Sequence, residues 1–264
     1  MTNTTSTPKS LLQFLNMSDH YERKARFVPA LLTIAMFLPA AFVLGLPLYH
    51  WLTTVVAGIG LGAVFAVGLS HLASAMGNRY QAALWPQWPH DAPTNRWLHP
   101  SDTSRSSQQK ALWYASIRRL TGLDIAASPE DETPEIEAVV NDAVAQVRNR
   151  LWQSEYADRL RLHNADYGFA RNVAGLSPVW ITGCLLSCLV AWVAFLVGTT
   201  NIGWPVLATV LAVGSILLAL FVLPAFVRTK ADFYAESFFA AAVSLDQDSS
   251  PAYPSSSVTN AIDT

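Results

Sequence analysis

Two long blocks of apolar residues dominate the pattern of this chain. One runs from Phe27 to Met76 and the other from Asn172 to Val227, and neither contains Asp, Glu, Lys or Arg. A charged side chain at the centre of a bilayer costs about 2.5–3.5 kcal/mol, so long charge-free blocks are typical of membrane-spanning segments. Because a helix crosses the hydrocarbon with about 20 residues, each block is long enough for two helices.

Each block divides at a turn that contains helix breakers and interfacial aromatic residues. The first turn lies near Gly45 and Trp51, and the second lies near Gly198 and Trp204. The predicted spans are 28–48, 52–75, 178–198 and 204–227. The alternative is a soluble protein with two buried hairpins, but a soluble helix normally keeps one polar face, and these segments have none.

The rest of the chain divides at the ends of these blocks. We predict an all-α membrane protein in which four transmembrane helices form two hairpins, with a mainly helical cytoplasmic domain inserted between them. The predicted segments are a cytoplasmic N-terminal segment with a short amphipathic helix at 1–26, transmembrane hairpin 1 at 27–76, the cytoplasmic helical domain at 77–176, transmembrane hairpin 2 at 177–227, a C-terminal amphipathic helix at 228–246 and a disordered tail at 247–264.

Helical spacing of apolar residues predicts two helices in the middle segment. The first runs from Ser104 to Leu120. The second starts at Thr133-Pro134-Glu135, where a capping hydroxyl, a first-turn proline and a carboxylate suit a helix N-terminus. Its apolar residues are Ile136, Val140, Ala143, Val144, Val147 and Leu151. We expect this helix to continue to about Leu162, which makes it about 40 Å long.

Composition and charge place the hairpins in the membrane with a defined orientation. Hydrophobic residues make up 52% of the chain and charged residues only 14%, against about 25% in soluble domains. Basic residues flank the spans, whereas the two short hairpin loops carry no charge. The flanking basic residues are Lys9, Arg23, Lys24, Arg26, Arg79, Arg171, Arg228 and Lys230. The positive-inside rule therefore predicts a multi-pass inner-membrane protein with both termini in the cytoplasm.

A stripe of small residues runs along the second predicted span. Gly58, Gly62, Ala66 and Ser70 recur at every fourth position, and such stripes let helix backbones approach closely in lipid. The stripe either packs within one subunit or forms a subunit contact or pore-facing surface. His71 lies about one turn from the cytoplasmic end of the span and is an interfacial, hydrogen-bonded histidine or part of a gate.

The sequence contains none of the common catalytic signatures. It has no Walker-type glycine loop, no Gly-x-Ser-x-Gly and no His-Glu-x-x-His, so we expect neither an enzyme nor a cofactor. Cys184 and Cys188 lie four residues apart in the third predicted span. Since that span offers no histidine or carboxylate as a further ligand, we interpret these thiols as packing residues and expect no metal site.

Arginines form the more informative cluster. On the long middle helix and its exit they are Arg148, Arg150, Arg159, Arg161 and Arg171. Guanidinium groups make two-pronged contacts with phosphate and stack on bases, so this set is a candidate site for an anionic ligand. The alternative is a solvated helix face. In that case the arginines would pair with Glu155, Asp158 and Asp166.

Two segments around the middle domain carry a resemblance to a known family. They are LWPQWPHDAPTNRWLHPSD at Leu84–Asp102 and YGFARNVAGLSPVW at Tyr167–Trp180. They resemble the Trp-Gly-Gly-x-Pro-Thr and Tyr-Gly-Phe-Arg-Arg-Asn motifs of bacterial four-transmembrane anti-phage defence effectors, of the Hailong type or of the type linked to cyclic oligonucleotides. The chain departs from these motifs at Pro89-His90, where the family has glycines, and at Ala170, where the family has an arginine.

This resemblance implies an oligomeric, channel-like effector. Its cytoplasmic side would bind a nucleotide or a short DNA or RNA oligomer, its partner would be a nucleotidyltransferase, and its opening would disrupt the membrane potential in abortive infection. A non-conducting membrane anchor or scaffold, whose cytoplasmic domain docks a protein partner, is the alternative. A transporter or membrane-embedded enzyme fits less well, because the predicted spans contain one histidine, His71, and no Asp, Glu, Lys or Arg.

Overall fold

The computed structural model describes residues 23–37, 43, 59–127 and 133–249. It is 82% helical, and its described residues contain no strand, which confirms the predicted all-helical class. The described helices are α1 Val28–Ala35, α2 Ile59–Leu84, α3 Pro93–Arg96, α4 Ser107–Thr121, α5 Thr133–Trp152, α6 Ala157–Gly175, α7 Ser177–Leu196, α8 Gly203–Leu217 and α9 Leu223–Ser249. A π-helical turn, Arg23–Phe27, precedes α1, a second, Leu218–Val222, joins α8 to α9, and a 3-10 turn follows α4 at Ile125–Ala127.

Two of these helices could span a membrane. They are α7 and the continuous helix Gly203–Ser249, in which α8, the π-helical turn and α9 follow one another. Of the other two predicted spans, α1 covers the beginning of the first, and α2 covers the later part of the second. The turn predicted near Gly45 and Trp51 and the N- and C-terminal segments before residue 23 and after residue 249 lie outside the described residues.

Two helices continue beyond the predicted ends of their spans. Helix α2 runs nine residues past the predicted end at position 75, and the last helix runs on from Val227 to Ser249. Charged residues such as Arg79 and Arg228 end an apolar segment but not a helix, because lysine and arginine are good helix formers.

The long middle helix, by contrast, is interrupted. Helix α5 ends at Trp152, and α6 begins at Ala157. Ser154 makes the break, because its Oγ donates to Leu151 O over 2.9 Å and accepts from the Tyr156 backbone N–H over 3.2 Å. The prediction of one continuous helix to Leu162 is therefore wrong, and serine's tendency to bond with nearby backbone is the physical reason.

The described residues fall into two compact units. Unit 1 lies within 1–92 and 161–234, and unit 2 lies within 93–160 and 235–264. Unit 1 therefore holds α1, α2, α7 and α8 with most of α6 and the first part of α9, whereas unit 2 holds α3 to α5 with the end of α9.

The core of unit 2 is aromatic. Trp113 stacks on Phe239 with ring centroids 4.0 Å apart and on Trp97 at 6.3 Å. All six apolar residues predicted on α5 are buried. Lys110 is also buried, and its Nζ donates to three carbonyls, those of His99, Pro100 and Asp102. This lysine fixes the proline-rich segment that precedes α4.

The core of unit 1 is built from small and medium residues. Its two apolar helices, α7 and α8, pack through small buried side chains at Cys184, Ser187, Ala208 and Ala212. Cys188 Sγ lies 3.4 Å from Thr209 Oγ1. Both cysteines are free thiols.

Candidate functional site

A polar hub lies within unit 1, on one stretch of α6. We use the term for seven residues that hydrogen-bond or form ion pairs there: Lys24, Gln81, Asp166, Tyr167, Arg171, Asn172 and Lys230. Four of them lie on α6: Tyr167, Arg171 and Asn172 belong to the segment that carries the Tyr-Gly-Phe-x-Arg-Asn resemblance, and Asp166 directly precedes it. The other three lie on the N-terminal π-helical turn, on α2 and on α9.

Asp166 joins α6 to two basic residues, one before the first apolar block and one after the second. Its carboxylate forms ion pairs with Lys24, on the π-helical turn before α1, and with Lys230 on α9, the latter at 3.3 Å. Burial raises the pKa of Asp166, but the hydrogen bonds and charges of the two lysines lower it by more, so the pKa lies below that of an ordinary aspartate. Asp166 is therefore a carboxylate at neutral pH.

Gln81 joins α6 to α2. Its Oε1 accepts from Tyr167 Oη and from Arg171 Nη1, each over 2.9 Å. The Arg171 guanidinium also lies 5.8 Å from the centre of the Tyr167 ring. Arg171 is only partly exposed, so the structure places this predicted ligand-binding residue in a helix contact.

Asn172 joins α6 to the N-terminal π-helical turn. Its side chain is fully buried, and Nδ2 donates to the backbone carbonyl of Ala25 over 2.6 Å. Gly77 of α2 faces the same amide, because a Cβ added there would lie 1.9 Å from Asn172 Oδ1. A Cβ added at Gly175 would lie 2.5 Å from the backbone of Met76 and Gly77. The two glycines therefore mark a close crossing of α2 and α6.

The sequence predicted a close helix approach, but at other glycines. Gly62 and Ala66 lie on α2, Ser70 is half-buried, and His71 is exposed. Gly58 lies outside the described residues, and the surroundings of Gly62 and Ala66 are not described, so the role of that stripe stays a prediction. Gly77 and Gly175 were missed because they are single glycines without a four-residue repeat.

The remaining predicted arginines are exposed. Arg148 and Arg150 lie on α5, and Arg159 and Arg161 lie on α6. Members of each pair are two residues apart, which places them about 200° apart around their helix. The break before Ala157 also removes the single continuous face on which the sequence grouped them.

If these arginines formed a solvated helix face, they would pair with Glu155, Asp158 and Asp166. The structure shows a different set of ion pairs. Asp166 pairs with two lysines. None of the described acidic residues forms an ion pair with Arg148, Arg150 or Arg159, whereas Arg161 has an interaction partner. Three exposed guanidinium groups of unit 2 are therefore available to an anion.

Aromatic residues lie beside the hub. Trp85, at the end of α2, is 6.2 Å from both Trp88 and Tyr167, measured between ring centres. Trp85 is buried, but Trp88 is 46% exposed. Within the described ranges, no group of three His, Cys, Asp or Glu side chains is placed to hold a metal ion.

Comparison with known protein families, with curated proteins and with solved structures finds no match to this chain.

Proposed function

We propose that the chain is an oligomeric, channel-like membrane effector with four spans, gated from the cytoplasm by an anionic ligand such as a nucleotide or a short DNA or RNA oligomer. Its opening disrupts the membrane potential, as the resemblance to anti-phage effectors implies. The observation that carries this proposal is the polar hub.

The hub supports gating because one segment of α6 contacts residues next to the proposed cytoplasmic ends of the first, second and fourth spans and leads directly into the third. Lys24 and Ala25 precede the first span, and Gln81 follows the second. Lys230 follows the fourth, and α6 itself leads through Leu176 into α7, the third. A shift of α6 therefore acts on all four spans at their cytoplasmic ends. A ligand causes such a shift only if it binds the open and closed arrangements with different affinity.

Exposure of apolar side chains supports the membrane part of the proposal. Only 28% of the apolar window of α7 and 22% of that in Gly203–Ser249 are buried, unlike the core helix of a soluble protein. Leu196 and Phe221 are 77% and 71% exposed. Exposed apolar side chains in such number fit contact with lipid or with further subunits.

Ligand binding is assigned to the exposed arginines Arg148, Arg150 and Arg159 of unit 2. Phosphate contacts make affinity for single-stranded nucleic acid fall with salt, with a slope of about 0.7 per contact. Neutralising Arg150 and Arg159 to Gln should therefore weaken binding of a short oligonucleotide and lower that slope by about 1.4. The variant Arg96→Gln with Arg118→Gln removes the same charge elsewhere in unit 2 and serves as the control.

Ion flux across liposomes that contain the purified full chain tests the function. We expect flux to change when the oligonucleotide is added: an activator raises it and an inhibitor lowers it. The Arg150→Gln and Arg159→Gln variant should lose this response, and the control pair should keep it. A chain that inserts into the liposomes but conducts nothing under either condition would favour the non-conducting scaffold.

A further inference from the structure

We infer that the Lys24–Asp166–Lys230 cluster binds the phosphate of an anionic phospholipid, so that the lipid becomes part of the hub. The inference rests on the proposed membrane function and adds a binding site to it. It starts from the charges. Two lysines share one carboxylate, which leaves one positive charge, and a phosphodiester carries one negative charge.

Donor groups remain after the ion pairs are made. An ammonium group has three donors, and each lysine directs its ion pair to the same Asp166 side chain. The side chains of Lys24 and Lys230 are 39% and 26% exposed. Both can thus donate to a further oxygen from outside the protein while Asp166 holds them next to each other.

The position of the cluster selects a lipid over a soluble anion. Lys24 is four residues before Val28, where the first proposed span begins, and Lys230 is three residues after Val227, where the fourth ends. At about 1.5 Å per residue, both lie within about 6 Å of the apolar segment, which is the depth of the headgroups.

Neighbouring side chains fit the same surroundings. Lys230 Nζ lies 5.8 Å from the ring centres of Phe226 and Phe233, so its charged end projects from an apolar base. Phe233 is 46% exposed and Arg228 is exposed. An apolar base with a basic rim complements an acyl chain attached to an anionic headgroup.

Native mass spectrometry of the full chain in mild detergent tests this site. We expect the wild type to retain phosphatidylglycerol in preference to phosphatidylcholine. A basic residue near the headgroups contributes about a five-fold gain in affinity for anionic lipid, so Lys24→Gln with Lys230→Gln should reduce this preference about 30-fold, or about 2 kcal/mol. Arg96→Gln with Arg118→Gln removes the same charge and should leave the preference unchanged.

Two further variants separate lipid binding from a loss of folding. Lys24→Arg with Lys230→Arg keeps both charges and should keep the lipid. Asp166→Asn breaks the ion pairs but leaves both lysines, so retention of phosphatidylglycerol should persist or rise. Equal loss of lipid in Asp166→Asn and in the double Gln variant would overturn the site, because the cluster would then only support the fold.

Two further experiments complete the test: competition with free inorganic phosphate, and extraction of membranes with carbonate. Free phosphate at the concentration of the lipid should not displace phosphatidylglycerol, and displacement would assign the cluster to soluble anions instead. Release of the chain from membranes by carbonate would overturn the proposed membrane function and this inference with it. Stable insertion with equal retention of both lipids would overturn the inference alone.

Discussion

Single residues set the geometry of the α2–α6 crossing. Gly77→Ala would push a methyl group into the buried Asn172 amide, 1.9 Å from Oδ1, and overpacking of this kind costs about 1–3 kcal/mol. We expect a lower thermal midpoint, measured by circular dichroism of the purified chain in detergent. Gly68→Ala on the same helix meets nothing within 4 Å and should be neutral or stabilising by up to about 1 kcal/mol. An equal loss in both variants would contradict a tight crossing at Gly77.

Asp246 gives unit 2 a stability that depends on pH. Its carboxylate accepts from Arg119 Nε over 2.8 Å, and this hydrogen bond lowers the pKa of Asp246 despite its burial. A lowered pKa in the folded state stabilises the protein above the pKa of an unfolded aspartate, about 3.9. That contribution is lost as the pH falls through the pKa of folded Asp246.

Replacing this carboxylate should show the effect. Asp246→Asn is expected to lower the free energy of unfolding at neutral pH, because the bond to Arg119 is weakened. The loss is limited to about 1 kcal/mol, because Arg119 is half exposed and solvent screens its charge. Thermal midpoints between about pH 7 and about pH 3 should then fall less steeply with acid than in the wild type. Asp142→Asn removes an equal charge from an exposed site, and a matching change in its pH profile would remove Asp246 as the cause.

Burial of residues was predictable where apolar spacing was regular. The stripe from Ile136 to Leu151 is buried as predicted. On α4, by contrast, Leu112 is 44% exposed, whereas Lys110 and Trp113 are buried. Spacing cannot identify a buried lysine, because the carbonyls that bind it lie in the irregular segment before the helix.

At the scale of elements, Ser154 separates α5 from α6. Serine and other capping residues stabilise a helix start by about 0.5–2 kcal/mol relative to alanine. Ser154→Ala should therefore lower the thermal midpoint, and it removes the main bond that opposes a continuous helix. Gln153→Ala, at an exposed neighbouring position, is the control. An unchanged midpoint in Ser154→Ala would show that other contacts impose the break.

Helices were easier to predict than their ends and their polar contacts. Charge-free blocks indicated α7 and α8 directly, because a bilayer penalises charge strongly. The same blocks could not place the ends of α2 and α9, since a helix crosses the membrane surface without changing its backbone. Of the hub residues, the sequence singled out Arg171 as a ligand-binding candidate. Its partner Gln81 is 90 residues away, and no local pattern indicates such a contact.

For the whole molecule, the small-residue stripe on α2 either packs within one subunit or joins the subunits of the proposed oligomer, and the expectations that follow are those of a subunit contact. Gly62→Leu should overfill a close helix contact at a cost of about 1–3 kcal/mol and dissociate the oligomer without preventing insertion. Gly68→Leu makes the same change about 120° away around the helix and should leave the oligomer intact on native gels. An intact oligomer in the Gly62→Leu variant would return the stripe to packing within one subunit.

The topology of the whole chain is open to chemical labelling. Asn201 lies in the exposed connection between α7 and α8, so a cysteine there should react with an impermeant maleimide from the periplasmic side. A cysteine at Ser107, which is exposed at the start of α4, should react only after the inner membrane is opened. Both are placed in a chain that carries Cys184→Ala and Cys188→Ala. Labelling of position 201 only after lysis would reverse the predicted orientation.

The bond between Asn172 and Ala25 has a consequence for biosynthesis. Its two residues are 147 positions apart, and a ribosome adds about 5–20 residues per second. Asn172 is therefore synthesised about 7–30 s after Ala25. Asp166 is synthesised after Lys24 with nearly the same delay, and Lys230 is synthesised later still. In the proposed topology, the first hairpin enters the membrane during this interval while its cytoplasmic end still lacks these contacts. Nascent chains stalled before codon 172 should therefore be preferred targets of membrane quality-control proteases.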